Sequence, residues 1–426
     1  MQRGLARWIV AAGAITGLTL HGSGSLRAQD ANDSGLDPIL ERMDQRLAAV
    51  ADELVAIRRD IHRHPELSGQ EERTAGIVAE HLRRLGFSVQ TGVGGHGVVG
   101  LIQGDREGPV VAYRADMDAM PSTVPDPVSF PSENPGVRHI CGHDIHTTVG
   151  LGIAEALAAV RDELPGTVKL IFQPAEENVQ GARAMIADGV LEDPVPAAIL
   201  ALHTAPLEVG QIGVIEGMVL PGFDLVTVTL TGDGDLEAAA GAYAGLFSEV
   251  STIGPPGPDL SIQGVSDFIL AFTRSAEPAG ENLWVVQGMV KASGEDQYRQ
   301  AKSRILAKLE ALAFEGVSRE VEYEDRWLPD TINDPDLLNA SLSMIQSRIG
   351  KGAVFVSSAP IPYFGEDFAF YQREIPGALF WLGVSNSEKG IVGLPHSPGY
   401  VADEGSIQVG ARTMGAVILE LLRAGT

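Results

Sequence analysis

Three short apolar segments, each followed by side chains that can bind a metal ion, restrict the fold of this chain more than any other feature. The segments span residues 109–114, 168–172 and 197–202, and their lengths and aliphatic residues are typical of buried strands. Ligand sites in open α/β sheets are built where the strands end. The pattern therefore predicts an α/β fold with a polar site at one edge of its sheet. The side chains that follow the three segments are Asp116 and Asp118, Glu176 and Glu177, and His203.

A fourth cluster of this kind lies in residues 138–146. It contains Cys141, the only cysteine of the chain, and three of its ten histidines. An apolar run with helical spacing follows, so the cluster is predicted to lie on a loop that enters a helix. The N-terminus of a helix favours thiolates and carboxylates, and Cys141 and His143 could reach one ion. A buried structural cysteine beside ordinary loop histidines is the alternative interpretation.

Helical patterns account for much of the chain outside these segments. Apolar residues recur at helical spacing from 37 to 63, which predicts one continuous helix. A second helix is predicted from 71 to 85, ended by Gly86. Near the C-terminus, a helix at 404–422 follows a loop at 394–398 that contains a histidine, His396, predicted to be buried.

The pattern changes near residue 217, where a separate unit is predicted. Its segments alternate in the order β-α-β-β-α-β, which is the order of a ferredoxin-like fold. We therefore predict a small inserted α+β domain at 217–330. Residues 29–216 and 331–426 would together form a discontinuous domain, an α/β fold with a mixed, mostly parallel sheet and helices on both faces.

Residues 1–28 have the pattern of a secretory signal peptide. Arg3 and Arg7 precede an uncharged apolar run at 8–20, and a cleavage site is predicted after Ala28. The run is too short to span a bilayer comfortably, so stable membrane insertion is not expected. We expect a periplasmic or secreted protein. Metal ligation would protect the single thiol of Cys141 in an oxidising compartment.

The charge of the chain restricts its partners. With 31 basic and 56 acidic residues the net charge is −25, which argues against binding to nucleic acid. The composition, 44% hydrophobic and 20% charged, is that of a globular protein.

The metal-capable side chains could together hold two divalent ions. Two ions about 3.5–4 Å apart can polarise a carbonyl group and lower the pKa of a bridging water, which would be the nucleophile. Neighbours on an extended segment point to opposite sides, so one of Glu176 and Glu177 would bind metal while the other acts as general base. A solvated surface pair is the alternative for these two glutamates. The five candidate ligands are Cys141, His143, Glu177, His203 and His396.

A further carboxylate is expected to orient one of the ligating imidazoles. A hydrogen bond to the second ring nitrogen fixes the tautomer and the orientation of a ligating histidine. Asp118 is the candidate, with Asp116 and Asp144 as competitors for the same role. His146 is expected to pack or to line the cleft rather than to bind metal.

Several runs of the chain resemble the aminoacylase and hippurate hydrolase family of di-metal amidohydrolases, relatives of the bacterial zinc carboxypeptidases. The resemblance extends over most of the chain outside the insertion, in the family's order. The runs that carry it are residues 59–67, 114–121, 139–147, 173–177, 181–191, 366–368 and 396–398.

The resemblance implies an activity and a role for each candidate residue. It implies hydrolysis of the amide bond of N-acyl amino acids or small peptides, with a lid that closes over the substrate and forms a homodimer. Two divalent ions are implied, zinc or manganese, with nickel and cobalt as alternatives. Glu176 matches the general base and Asp118 the metal-orienting aspartate. The implied ligands are Cys141, His143, Glu177, His203 and His396, with Cys141 as the bridge.

The predicted lid departs from the family pattern. A histidine usual in the turn after the first lid strand is absent from Gly232-Asp233-Gly234-Asp235, and residues 217–330 contain no histidine. An arginine usual on a later strand is replaced by Lys291. The acidic turn favours a neutral or cationic substrate group. A metal-binding but catalytically impaired binding or regulatory protein is therefore the alternative prediction.

Overall fold

The computed structural model describes residues 37–254 and 264–425, so the predicted signal peptide lies outside the described residues. Ten α-helices and sixteen strands lie within these two ranges. The helices are α1 (Asp37–Ala49), α2 (Ala51–Arg63), α3 (Glu72–Arg84), α4 (His143–Ala158), α5 (Gly181–Ala187), α6 (Leu236–Ser248), α7 (Glu295–Ala311), α8 (Pro335–Ile349), α9 (Ala369–Glu374) and α10 (Gly405–Ala424). The strands are β1 (Ser88–Val93), β2 (Gly97–Gln103), β3 (Arg106–Asp116), β4 (Met120–Pro121), β5 (Val137–Arg138), β6 (Pro165–Gln173), β7 (Ala198–Glu208), β8 (Ile212–Ile215), β9 (Met218–Leu220), β10 (Phe223–Gly232), β11 (Ile269–Gly280), β12 (Leu283–Ala292), β13 (Val317–Leu328), β14 (Thr331–Ile332), β15 (Val354–Ser357) and β16 (Gly377–Ser385).

The larger sheet contains eight strands in the order β1-β2-β6-β3-β7-β16-β8-β15. Four neighbouring pairs are parallel and three are antiparallel, which confirms the predicted mixed, mostly parallel sheet. β3 lies between β6 and β7 and is parallel to both. The three apolar segments therefore deliver their polar ends to the same region of the sheet.

Helices cover both faces of this sheet, as predicted. Because side chains alternate along a strand, Tyr113 and Leu170 pack into a core formed with α1–α4, α8 and α10, whereas Ala112 and Ile171 pack into a second core with α5 and α9. All four side chains are almost fully buried. The central strands are thus held from both sides, which makes the sheet a rigid base for the site.

The prediction of one helix from residue 37 to residue 63 was wrong. The chain leaves helical geometry at Val50 (φ −108°, ψ 9°), between α1 and α2. Val50 is buried in the same core as Leu47 and Leu54, so the apolar spacing continues across the break and conceals it in the sequence.

Among the helices of the described residues, none is both long enough and apolar enough to cross a bilayer.

The smaller, four-stranded sheet has the predicted β-α-β-β-α-β order. Its strands lie in the order β11-β12-β10-β13 and every neighbouring pair is antiparallel. Val286 and Val290 of β12 pack in one core with residues of α6 and α7. Met289 and Lys291 alternate with them and lie on the opposite face, which is turned towards the larger sheet.

This unit lies within the predicted insertion. It begins at Phe223 and ends at Leu328. The two chain segments that connect it are joined by a hydrogen bond from the Gly222 backbone N–H to Asp330 Oδ1 (2.7 Å). The limits of the three predicted regions, 29–216, 217–330 and 331–426, stay predictions.

Candidate metal centre

Cys141 lies at the centre of a group of side chains from distant parts of the chain. Its Sγ atom is 3.4 Å from His203 Nε2 and 3.2 Å from His396 Nε2. Two triplets of metal-capable side chains share it, and the ligand atoms within each triplet lie within 4.8 Å of one another. The structure thus brings together the five predicted ligands. One triplet is Cys141, His143 and His203, and the other is Cys141, Glu177 and His396.

The turn before α4 places Cys141 and His143 beside each other. Gly142 adopts a left-handed backbone conformation (φ 98°), and α4 begins at the next residue. A Cβ atom at Gly142 would collide with the hydroxyl group of Tyr400 and with Thr204. Glycine is therefore required at this position by backbone conformation and by space.

The sequence suggested that His203 follows the end of its strand, but His203 lies within β7. β7 continues to Glu208, because its backbone pairs with β16 along most of its length. The Nδ1–H group of His203 donates to the Thr204 carbonyl oxygen (2.8 Å). Nε2, on the side of Cys141, is therefore the nitrogen that is free to bind a cation.

His143 is fixed by a carboxylate. Its Nδ1–H group donates to Asp118 Oδ1 (3.1 Å). The second oxygen of Asp118 accepts from Ser68 Oγ (2.7 Å) and from the backbone N–H of Glu177 (3.0 Å). Although burial favours the neutral acid, the hydrogen bond from His143 lowers the pKa of Asp118. The imidazole is thereby held with Nε2 towards the centre.

Two buried atoms at this centre lack a hydrogen-bond partner among the described residues. They are His143 Nε2 and Glu177 Oε1, which lie 3.7 Å apart. A buried polar atom without a partner is costly. Divalent cations held at this centre would satisfy both atoms, and thiolate, imidazole and carboxylate ligands suit such ions. The residues present therefore fit a metal ion.

The two competitors of Asp118 have other partners. Asp116 Oδ1 accepts a hydrogen bond from His146 Nδ1 (2.6 Å), and it is 3.8 Å from His143 Nδ1. His146 Nε2 accepts from the Thr204 backbone N–H (2.8 Å), so both nitrogens of His146 are engaged and it packs as expected. Asp144 pairs with Arg58 (2.7 Å) and with His62 (2.8 Å).

Glu176 and Glu177 do not point to opposite sides of an extended segment. β6 ends at Gln173, and Ala175 has a left-handed backbone conformation (φ 55°) that turns the chain. Both glutamates therefore face the same cavity, with carboxylate oxygens 3.9 Å and 3.7 Å from His143 Nε2. The alternative of a solvated surface pair does not hold, because the Glu176 side chain is only 9% exposed.

A buried ionic network lies behind Glu176. The carboxylate oxygens of Glu176, Glu366 and Asp367 lie within 4.8 Å of one another. Arg114 pairs with Glu366 and Asp367 at 2.9 Å each and with Asp116 at 2.5 Å. Burial, followed by the charge of Glu366, raises the pKa of Glu176. Burial likewise raises the pKa of Asp367, to about 7.

His396 is more exposed than the sequence suggested. Its side chain is 37% exposed, because it lies on the wall of an open cavity rather than in the core. The backbone N–H of His396 donates to the Ile140 carbonyl oxygen (2.8 Å), which ties this loop to the turn that carries Cys141. Its Nε2 atom is 3.4 Å from Glu177 Oε1.

A cavity of about 390 Å³ lies between the centre and the four-stranded sheet. Cys141, Glu176, Glu177, His203 and His396 line its floor. Apolar side chains form most of its remaining wall, and the four-stranded sheet contributes one cation, Lys291. The apolar side chains that the sheet contributes are Phe223, Phe272, Met289 and Leu328.

This arrangement agrees with a comparison of the chain with known families. A family model described as peptidase family M20/M25/M40 matches residues 112–420. The chain belongs to this family. It is therefore a metal-dependent amidohydrolase or peptidase of the M20 type, as the resemblance implied.

Individual M20 relatives align over most of the chain. N-acetylcysteine deacetylase of Bacillus subtilis is 33% identical over 396 residues, which cover 87% of this chain and 98% of that protein. IAA-amino acid hydrolase ILR1-like 5 of Arabidopsis thaliana is 32% identical over 391 residues, or 87% of each chain. The crystal structure of Bacillus subtilis YXEP, described as a dinuclear metal-binding peptidase from the M20 family, covers 88% of this chain and 99% of its own, with 29% identity and a TM-score of 0.69.

In this M20 chain the acidic turn at 232–235 does not line the cavity. It lies at the far end of β10 from Phe223, and ten residues of strand span roughly 30 Å. Asp235 caps α6 by accepting from the Ala238 backbone N–H (3.0 Å), and Asp233 accepts from Asn282 (3.2 Å). Because the turn is remote from the cavity of its own chain, the structure does not support the expectation that it favours a neutral or cationic substrate group.

Sequence reasoning assigned no role to two charged residues of this M20 site. Arg114 and Glu366 belong to runs that carry the family resemblance. The signal that could have identified them is a charged residue in an apolar setting, since Arg114 ends an apolar strand and Glu366 lies in a loop with apolar neighbours. Trp381, which lines the cavity beside His203, was missed entirely. Its position depends on the pairing of β7 with β16, and the sequence contains no signal for it.

Proposed function

We propose that this protein is an exported metal-dependent amidohydrolase that cleaves the amide bond of N-acyl amino acids or small peptides. The observation that carries the proposal is the sharing of Cys141 by two triplets of metal-capable side chains beneath a cavity. The names of the Bacillus subtilis deacetylase and the Arabidopsis hydrolase support this class of substrate.

Five side chains would hold two divalent ions. Cys141 would bridge them, because it is the member common to both triplets. Two such ions supply a Lewis acid for the amide carbonyl and lower the pKa of a water between them. Zinc or manganese suits this mixed set of ligands, with nickel and cobalt as alternatives. The other four ligands are His143, Glu177, His203 and His396.

Asp118 would act through His143. Its hydrogen bond to Nδ1 fixes the tautomer in which Nε2 is the free nitrogen. Because its second oxygen also holds the backbone N–H of Glu177, Asp118 orients two of the proposed ligands at once.

Glu176 is the proposed general base. Its carboxylate faces the cavity beside the metal triplets and is not needed to complete either shared triplet. It would take a proton from the attacking water while the water oxygen forms a bond to the carbonyl carbon. When the C–N bond breaks, the same proton would pass to the leaving amine.

The inserted domain would act as a lid over the substrate. The Lys291 ammonium group faces the cavity and donates to the Phe364 carbonyl oxygen of the opposite wall. It would meet the carboxylate of the amino-acid part of the substrate, and the apolar wall would take the remaining groups. Association of two lid domains into a homodimer, and export directed by residues 1–28, belong to the same proposal.

A metal analysis combined with a substrate panel tests this function. We expect about two divalent ions per chain in protein that begins at Gln29, and turnover of acyl amino acids or dipeptides. Glu176→Gln should keep the ions and lose turnover by about 10²–10⁴-fold. Glu155→Gln is a matched control, since Glu155 is equally buried but pairs with His81 and Arg46 away from the cavity.

Two outcomes would contradict the proposal. Equal turnover by wild type and Glu176→Gln would remove Glu176 from the reaction. Metal-loaded protein that binds acyl amino acids, shown by a thermal shift, but cleaves none of the panel would favour the regulatory alternative.

A further inference from the structure

Trp381 lies beside the metal centre without being part of it. It is the direct partner of His203 in the parallel pairing of β16 with β7, so both side chains project from the same face of the sheet. Their rings are in edge-to-face contact, with centroids 5.5 Å apart. Both residues line the cavity.

The indole Nε1–H group of Trp381 has no acceptor among residues 37–254 and 264–425, although the residue is only 4% exposed. Buried indole N–H groups usually have a hydrogen-bond partner. The orphaned atoms of His143 and Glu177 can be satisfied by a cation, but an indole nitrogen is a donor only. Its partner must therefore be an acceptor atom, and because Trp381 lines the cavity, a bound molecule is a source of that acceptor.

Other donors in the cavity wall already have partners. The Lys291 ammonium group donates to the Phe364 carbonyl oxygen. The Thr204 hydroxyl group donates to the Cys141 carbonyl oxygen (2.6 Å), and the Tyr363 hydroxyl group donates to the Gly254 carbonyl oxygen (3.3 Å). The single N–H group of Trp381 is thus free for a ligand, whereas Lys291 has one of its three N–H donors engaged and the two hydroxyl groups have donated their protons.

We propose that the Trp381 Nε1–H group donates a hydrogen bond to the carbonyl oxygen of the scissile amide. This inference rests on the proposed function. The carbonyl carbon must lie near Glu176 and the shared triplets, so its oxygen is a substrate acceptor close to His203 and hence to Trp381. The substrate carboxylate is assigned to Lys291 on the lid.

The hydrogen bond would strengthen during the reaction. When water adds to the carbonyl carbon, the π-electron pair moves onto the oxygen, and negative charge develops on the atom that would accept from the indole N–H group. A donor already in position stabilises that charge without reorganisation.

Trp381→Phe tests the proposal, because phenylalanine keeps an aromatic ring against His203 and removes the N–H group. We expect kcat to fall at least about 10-fold, towards the 10²–10³-fold loss typical of a missing oxyanion donor. KM and metal content should stay close to those of wild type. Trp284→Phe is the matched control, since Trp284 lies on the lid and does not line the cavity.

A second measurement does not depend on turnover. In protein with ¹⁵N-labelled tryptophan, the Trp381 indole signal is assigned by its loss in Trp381→Phe. A phosphinate analogue of an N-acyl amino acid, which carries a charged oxygen in place of the carbonyl, should shift this signal downfield and leave the Trp284 signal in place.

The outcomes separate this inference from the proposed function. Absence of turnover by wild type on every substrate would contradict the function. With an active wild type, equal kcat values for Trp381→Phe and Trp284→Phe would overturn the role of Trp381. A rise in KM at constant kcat, or an indole signal that does not move with the bound phosphinate, would overturn it as well.

Discussion

The two sheets that enclose the cavity contribute different chemistry to it. The eight-stranded sheet and its loops supply every side chain of the two shared triplets, together with Glu176 and Trp381. The four-stranded sheet supplies apolar side chains and a single cation, Lys291. Helices cover both faces of the eight-stranded sheet, which suits side chains that must keep fixed positions around a metal. Helices cover only one face of the four-stranded sheet, and its other face is turned towards the cavity and would contact the substrate.

The charges that the two sheets bring to the cavity differ in their partners. Around the larger sheet, buried charges occur in networks, as where Arg114 pairs with Asp116, Glu366 and Asp367. On the smaller sheet Lys291 is 4% exposed and has no ion pair within 4 Å among the described residues, only a carbonyl partner. The comparison predicts that changes to the larger sheet alter the chemical step, and that changes to the smaller sheet alter substrate binding.

Removal of Cys141 should have the largest effect. Because Cys141 belongs to both triplets, Cys141→Ala should lose both ions and reduce turnover to background, whereas His396→Ala should lose one ion. Elemental analysis of the purified variants, alongside protein dialysed against a chelator, measures this difference. Retention of two ions by Cys141→Ala would exclude it as the bridge.

Lys291→Met should have an intermediate effect, on binding. Without the cation that meets the substrate carboxylate, KM should rise about 10-fold while kcat changes little, since a lost ion pair costs about 1–2 kcal/mol in binding. Steady-state kinetics with an acyl amino acid and with its uncharged amide check this result. An equal preference for acid and amide in wild type would contradict the role of Lys291.

Lys291→Met should also change how the free energy of unfolding depends on pH. Burial lowers the pKa of Lys291 to about 7, whereas an unfolded lysine keeps its ordinary value of 10.5. Between these values the unfolded chain binds the extra proton, so this residue makes the free energy of unfolding rise with pH from about 7 to 10.5. Lys291→Met should be more stable than wild type at pH 7, with a smaller difference at pH 10, by urea unfolding.

Glu366→Gln should have the smallest effect on rate. The Glu366 charge raises the pKa of Glu176, after burial, so its removal lowers that pKa. The acidic limb of kcat/KM should shift to lower pH, and kcat should fall about 3–10-fold because a weaker base is less effective. Glu155→Gln should leave the profile in place. A shift to higher pH would contradict the arrangement described for this cluster.

Much of the fold was predictable from local patterns. The apolar strands before Asp116, Glu176 and His203, the helix after Cys141 and the alternation of segments within 217–330 all follow from periodicity. Local patterns failed where burial continued across a change of backbone geometry, as at Val50. They also failed at Glu176 and Glu177, because a single left-handed residue, Ala175, ends the extended segment.

The sequence by itself determined which residues could hold a metal and which apolar strands precede or carry them, because strand periodicity and residue chemistry are local properties. Only the tertiary structure decided how they combine. The choice of Asp118 over Asp116 as partner of His143, the position of Arg114 behind Glu176, and the orphaned indole of Trp381 beside His203 all depend on which strands become neighbours. Strand order is set by packing over the whole sheet, and no local stretch of sequence encodes it.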